Sequence, residues 1–301
     1  MTITSPLHPT HCADSMRQIQ TAIVHSRQIA RSTHLVRVTA PGIAKQIRPG
    51  QFVMIRMAAA NDPLIGRAFA VYDVHDGDDG KPSDVDLVYL RKGNLTTALA
   101  DAPEGTEVSL WGPLGNGFGT RRCRELVIAV GGIGQTPMLL LGRDALGNGN
   151  DYTNRRSDPS MSWADKVTIL YGARTGDLLA GQDDFADAGM DVQLCTDDGS
   201  VGREIRVPDL LREHLDRRID KGVAPEDLHV VTCGPEIMMQ LASEVCRDRN
   251  VSCQVSMETP MACGIGICYS CVAKIRQPEG DWDYKRTCVE GPVFDAQDVV
   301  W

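Results

Sequence analysis

The sequence has no long apolar run. Its longest weakly polar stretch, Leu126 to Gly134, is nine residues long and holds three glycines, whereas a membrane-spanning helix needs about 20 apolar residues. It also has no excess of basic residues. Lys+Arg 31 against Asp+Glu 40 gives a formal net charge of −9, which argues against a nucleic-acid backbone as partner. The opening residues MTITSPLHPTHCADSM carry neither a basic n-region nor an apolar h-region. No secretion signal or lipidation motif is expected, and a cytoplasmic protein is. Internal repeats and low-complexity tracts are lacking as well. So is the G-x-G-x-x-G fingerprint, which disfavours a Rossmann dehydrogenase of the usual kind.

What remains is an ordinary globular chain of 301 residues, 42% hydrophobic and 24% charged, long enough for two or three domains. Residues 1–15 are polar and read as a loose leader. From 16 to 120, short β-like runs (QTAIV, HLVRVTA, QFVMIRM, RAFAVYDV, VDLVYLR, EVSLWG) alternate with Gly/Pro turns, which predicts an antiparallel β-barrel or sandwich. One short helix is expected after Asn94. From 121 to 250 the rhythm changes. ELVIAV, KVTILY, MDVQLC and DLHVVTC are apolar without alternation, as buried parallel strands of an α/β domain are. The polar stretch 147–160 reads as an exposed loop, and DLLREHLDRRIDK (209–221) as an amphipathic helix. A third unit, 251–301, is too short to bury a normal core without a staple.

The cysteines supply that staple. Ten cysteines without an export signal do not read as a disulfide framework. Four of them fall in the last forty residues as Cys263-x4-Cys268-x2-Cys271 with Cys288 beyond. This is the plant-type 2Fe–2S spacing. Gly264 and Gly266 would let backbone N–H groups approach the sulfides, where they stabilise negative charge. A structural zinc site is the alternative, though zinc usually takes two separated C-x2-C pairs. Cys12, Cys123, Cys195, Cys233, Cys246 and Cys253 read mostly as small buried hydrophobes.

Two further signals are weak alone. Arg67-Ala68-Phe69-Ala70 on a strand could bind a pyrophosphate and stack a flavin ring, or could simply be strand packing. Lys92-Gly93-Asn94-Leu95-Thr96 opens a helix in the manner of a phosphate site. In the α/β part, Gly131-Gly132-Ile133-Gly134-Gln135-Thr136-Pro137 and Cys233-Gly234-Pro235 both follow a buried strand and open a helix. Two such junctions point to a nucleotide at the carboxyl ends of parallel strands, although a glycine turn there can also be a plain connection.

Taken in order, RAFA, GPLGNGF (112–118), AVGGIGQTP, LYGAR, TDDGSVG, CGP, METPMACGIGICYSC and CVEGPVF (288–294) resemble the ferredoxin–NADP reductase superfamily. Within it the chain is similar to the electron-transfer subunits of two-subunit, NAD-dependent dihydroorotate dehydrogenases, over residues 17–301. The resemblance implies a flavin-binding β-barrel, an NAD-binding parallel-sheet α/β domain and a small C-terminal 2Fe–2S module. It implies Arg67 at the FAD pyrophosphate and Phe69 against the flavin, with Ala68 and Ala70 in the same motif. Gly93, Asn94 and Thr96 would sit at the FAD phosphates. Gly131, Gly132, Gly134, Thr136 and Cys233-Gly234-Pro235 would flank NAD, and Cys263, Cys268, Cys271 and Cys288 would hold the cluster. No catalytic side chain beyond the cofactors is implied.

The implied partner is an FMN-containing catalytic subunit, two chains of each type forming a heterotetramer in pyrimidine biosynthesis. The same module serving a hydrogenase or glutamate synthase is the alternative. Where the superfamily usually has Ser or Thr, this chain has Ala70, so a backbone N–H must serve the flavin or its potential differs. Thr196-Asp197-Asp198 places carboxylates where an NADP 2′-phosphate would go. Asp197 would instead meet a ribose hydroxyl, unless the acidic pair is only a turn.

Overall fold

A computed structural model describes residues 15–59, 63–148 and 162–301. All but the end of the predicted leader and most of the predicted 147–160 loop lie outside the described residues.

The six alternating runs form β1 (Arg17–Ala30), β2 (Thr33–Thr39), β3 (Phe52–Met57), β4 (Arg67–Asp76), β5 (Pro82–Leu90) and β6 (Glu107–Leu114). They close an antiparallel barrel in the order β1-β2-β5-β4-β3-β6, with β6 pairing back onto β1. Period-two side chains explain the closure: Val36, Val38, Val53, Ile55, Val71, Leu87 and Leu110 point inward and are fully buried. A short turn of helix, α1 (Pro41–Ala44), adds Ile43 and Ala44 to that core. The helix expected after Asn94 is α2 (Asn94–Asp101).

The unalternating runs become β7 (Cys123–Gly131), β8 (Ala164–Ala173), β9 (Asp191–Thr196) and β11 (Leu228–Cys233), with a two-residue β10 (Arg203–Glu204) between the last two. Beyond them lie β12 (Ser252–Ser256), β13 (Val272–Arg276), β14 (Trp282–Arg286) and β15 (Val293–Asp295). One sheet runs β10-β9-β8-β7-β11-β12-β15, parallel except for β15. Helices α3 (Met138–Ala145), α4 (Gln182–Asp187), α5 (Val207–Asp220) and α6 (Glu236–Arg247) accompany it. Helix packing covers both faces of the sheet, so its central strands need no polar side. All six residues of β11 are buried.

A unit boundary at 250/251 does not match the sheet. β12 pairs in parallel with β11, and β15 pairs with β12. The start and end of the C-terminal unit are therefore strands of the α/β sheet, and only the hairpin β13–β14 and the cysteine loop stand outside it. Val255 and Cys253 are buried in the α/β core, which a separate small unit could not provide. Among the described residues no helix is long and apolar enough to cross a membrane.

Candidate functional site

Chain order reverses beside β7, which has β8 on one side and β11 on the other. Crevices at the carboxyl ends of strands open at such points. Here the turns after β7 and β11 meet. A Cβ on Gly134 would lie 2.3 Å from the Cys233 carbonyl oxygen, and one on Gly234 would lie 3.0 Å from Gly131 N. Gly234 also has φ +149°, a conformation that suits glycine. The two turns thus pack backbone to backbone along one wall of a cleft of about 1030 Å³. Gly131, Gly132, Asp197, Gly234 and Pro235 line it, as does Glu258.

The nucleotide residues expected from sequence divide here. Cys233 is buried, and burial followed by the Glu258 charge pushes its thiol up to about 12, so it stays protonated. Gly134 and Thr136 are buried under the turn rather than in the cleft wall. Asp198 accepts hydrogen bonds from the Ser200 N–H at 3.0 Å and its hydroxyl at 2.6 Å. That carboxylate builds the turn, while its neighbour Asp197 faces the cleft. The turn reading thus describes Asp198, and Asp197 is the carboxylate placed toward the cleft. The Gln135 side chain is fully buried beside the cleft, and its amide has no partner.

On the barrel, strand alternation splits the Arg67–Ala70 motif. Ala68 packs toward the cysteine module and Phe69 toward the barrel core. The Phe69 ring stacks on Tyr89 with centroids 5.3 Å apart, and the Tyr89 hydroxyl is buried without a partner. Exposed Arg67 donates to the Ile65 and Gly66 carbonyls at 3.0 and 3.1 Å. Ala70 pairs with Phe52. The Thr96 hydroxyl accepts from the Lys92 and Gly93 N–H groups at 3.0 and 2.9 Å. It thus caps α2, and the helix N–H groups beyond Gly93, at Asn94 and Leu95, are the ones that could meet a phosphate. Leu90, Arg91 and Lys92 carry this edge of the barrel into the same cleft. An unpartnered tyrosine, a helix N-terminus and nearby cations suit a flavin nucleotide.

The four cysteines occupy the loop between β12 and β13 and the turn after β14. Among the described residues no three His, Cys, Asp or Glu side chains converge as ligands of one metal ion. The thiols instead form two pairs, Cys263 with Cys268 and Cys271 with Cys288, linked by the proximity of Cys288 to Cys263. Two irons taking two thiolates each would divide four ligands in this way. Gly264 at φ +74° and Gly266 at φ +83° bend the loop. The Ile265 N–H points at Cys263 Sγ, 3.4 Å away. Ser270 lowers the exposed Cys268 thiol to about 6, toward the thiolate that iron needs. The loop fits a 2Fe–2S cluster.

Two further residues were given no individual role by sequence. Asn116 of GPLGNGF donates to the Glu290 and Val293 carbonyls at 3.1 and 2.8 Å and accepts from the Val293 N–H at 3.1 Å. It stitches the end of the barrel to CVEGPVF, so two motifs singled out separately are one contact. Trp111 Nε1 donates to the Cys263 carbonyl at 3.2 Å. The only hint of either was the position of Asn116 between two glycines and of Trp111 just before one.

Residues 258–300 match the family model for the iron–sulfur cluster binding domain of dihydroorotate dehydrogenase B. The chain is 33% identical over 275 residues to the dihydroorotate dehydrogenase B (NAD(+)) electron transfer subunit of Desulforamulus reducens, covering 91% of this chain and 94% of that one. The protein of the same description from Geobacillus thermodenitrificans is 31% identical over 282 residues, covering 92% and 96%. Among solved structures, an NADH-dependent reduced ferredoxin-NADP oxidoreductase superposes with TM-score 0.73 at 24% identity, covering 93% of this chain and 90% of that one. Phthalate dioxygenase reductase superposes with TM-score 0.56 at 16% identity, covering 85% and 86%. These two share the fold of barrel, α/β region and, in the second, a [2Fe-2S] centre named with it.

Proposed function

The chain belongs to the family of dihydroorotate dehydrogenase B (NAD(+)) electron transfer subunits, and we propose that it relays electrons between the FMN of a dihydroorotate dehydrogenase catalytic subunit and NAD. It is an NAD-linked oxidoreductase subunit of pyrimidine biosynthesis whose cofactors are FAD and a 2Fe–2S cluster. The bound groups supply hydride exchange between NAD and FAD and single-electron exchange at the cluster.

The chain's own residues bind, orient and shield. Labour divides along the sequence: 16–120 for FAD, 121–250 for NAD and 251–301 for the cluster, the last unit lending β12 and β15 to the sheet. Arg67, Asn94 and the start of α2 hold the FAD phosphates, with Phe69 and Tyr89 behind the flavin. Gly131, Gly132, Gly234 and Pro235 admit NAD to the cleft, and Asp197 accepts from a ribose hydroxyl while repelling a 2′-phosphate. Cys263, Cys268, Cys271 and Cys288 ligate the cluster. Ile267 and Tyr269, 73% and 65% exposed at the tip of that loop, form an apolar face for the catalytic subunit. The assembly is a heterotetramer in the cytoplasm.

The observation that carries this reading is that the cysteine loop adjoins both nucleotide regions: Ala68 of the RAFA strand packs on the cluster of Cys271 and Cys288, and Glu258, just before the loop, lines the glycine cleft. Its test is anaerobic co-purification with the organism's FMN-type dihydroorotate dehydrogenase chain, followed by NADH formation from dihydroorotate and NAD. Activity only with both chains is expected. In that complex Cys268→Ser should abolish NADH formation and spare FAD reduction by NADH. Full coupled activity in the variant would remove the cluster from the relay. Failure of the chains to associate, with FAD still reduced by NADH, would move the module to another redox enzyme.

A further inference from the structure

Trp111 touches both halves of the electron path. Its indole N–H donates to the carbonyl of Cys263, the first cysteine of the loop, at 3.2 Å. The far edge of the same ring lies over Gly66, the residue before the Arg67 motif. A Cβ there would sit 2.6 Å from Trp111 Cη2 and 3.3 Å from Cζ2. The half-buried ring belongs to the apolar cluster of Met54, Leu114, Cys271 and Cys288, with Ala68 packed against it. Behind the hydrogen bond, Gly264 is wedged against Met54, where a Cβ would meet Cγ at 2.6 Å. The cysteine loop therefore cannot shift along the barrel without breaking the indole contact.

We propose that Trp111 is a positioning residue that couples the flavin arm to the cluster loop, setting the cluster's place and electronic environment relative to FAD. This rests on the FAD and 2Fe–2S reading above. Two physical effects follow from one side chain. The ring fixes the loop against Gly66 by contact, and its N–H polarises the Cys263–Gly264 peptide. An N–H dipole held at the backbone of a cluster-ligating cysteine favours the reduced, more negative cluster. Strand β6, separated from the flavin motif's β4 by β3 alone, thus tunes a centre held on another unit.

The test uses the full chain purified with its catalytic subunit. The native protein must first show a 2Fe–2S electron paramagnetic signal on reduction. Its absence would defeat the cofactor reading itself, separately from the role of Trp111. Trp111→Phe keeps most of the packing and loses the donor, whereas Trp111→Leu loses both. With FAD content retained, Trp111→Phe should shift the cluster midpoint potential to more negative values and alter the paramagnetic g-values. The ratio of reduced to oxidised cluster at equilibrium with FAD should fall about fivefold, the weight of one ordinary hydrogen bond. Gly66→Ala pushes the ring from the flavin side and should shift the same signal. The two effects should be strongly non-additive in the double variant. Loss of iron with FAD retained in Trp111→Leu would also support the assignment. An unchanged potential and spectrum in both Trp111 variants would overturn it, as would loss of FAD and cluster together, which would mark the ring as general packing.

Discussion

Glu125 is fully buried in the α/β region yet ionised at neutral pH. Burial pushes its carboxyl up, but hydrogen bonds from His214 and Thr168 and the charge of Arg218 outweigh it and hold the group at about 2. Thr168 donates to Oε1 at 2.7 Å, and Arg218 Nε lies 2.5 Å from Oε2. Because the folded value lies below the ordinary 4.5, the contribution is complete above that pH and is lost as pH falls toward 2. Glu125→Gln should cost about 3 kcal/mol at pH 7. Urea midpoints measured down a pH series should show the gap from native closing below the ordinary carboxylate range. No sequence pattern marks Glu125, because its partners Thr168 and His214 are 43 and 89 residues away. Buried His229 runs in the same direction. Burial lowers it to about 4, so its share of stability is lost as pH falls from about 6.5 to 4.

Among elements, the contact between the turns after β7 and β11 governs the nucleotide cleft. Gly134→Ala would drive a methyl into the Cys233 carbonyl, 2.3 Å from its Cβ position. Neither partner is a flexible side chain, so the turns must part. Displacement on that scale at a positioned ligand costs about a hundredfold. Rapid mixing with NADH should show FAD reduction slowed by that order while FAD and iron contents stay native. A native reduction rate would mean that the turns do not shape the site. Sequence reading located both glycine turns because a strand, a glycine and a helix are local events. It could not show that they touch, since 99 residues separate Gly134 from Cys233. The same limit applies to Thr96, which the sequence offers as a phosphate ligand and the structure uses as a helix cap.

In the whole molecule the barrel and the α/β region share apolar interior. Leu35, Tyr72 and Val88 of the barrel pack with Leu139, Phe185 and Met190, and Leu140 of α3 enters the barrel core. Polar ties reinforce the contact. The Tyr72 hydroxyl donates to Asp184 at 2.7 Å, Arg143 pairs with Asp73 at 2.8 Å, and Arg31 pairs with Asp177 at 3.0 Å. A shared interior predicts joint unfolding, unlike the polar interfaces that let domains move apart. Urea transitions followed by FAD release and by far-ultraviolet circular dichroism should therefore coincide. Two separated transitions would show that each region folds alone. The strand runs, the order of the three units and the cluster spacing are all legible in the chain, because alternation, glycine turns and C-x4-C-x2-C are written within a few residues. That the third unit lends strands to the second emerges from packing instead. The same holds for Asp197 facing the cleft while Asp198 builds a turn, and for Trp111 joining Gly66 to Cys263. Those outcomes depend on which distant backbones come within a few ångströms, and local pattern carries no record of that.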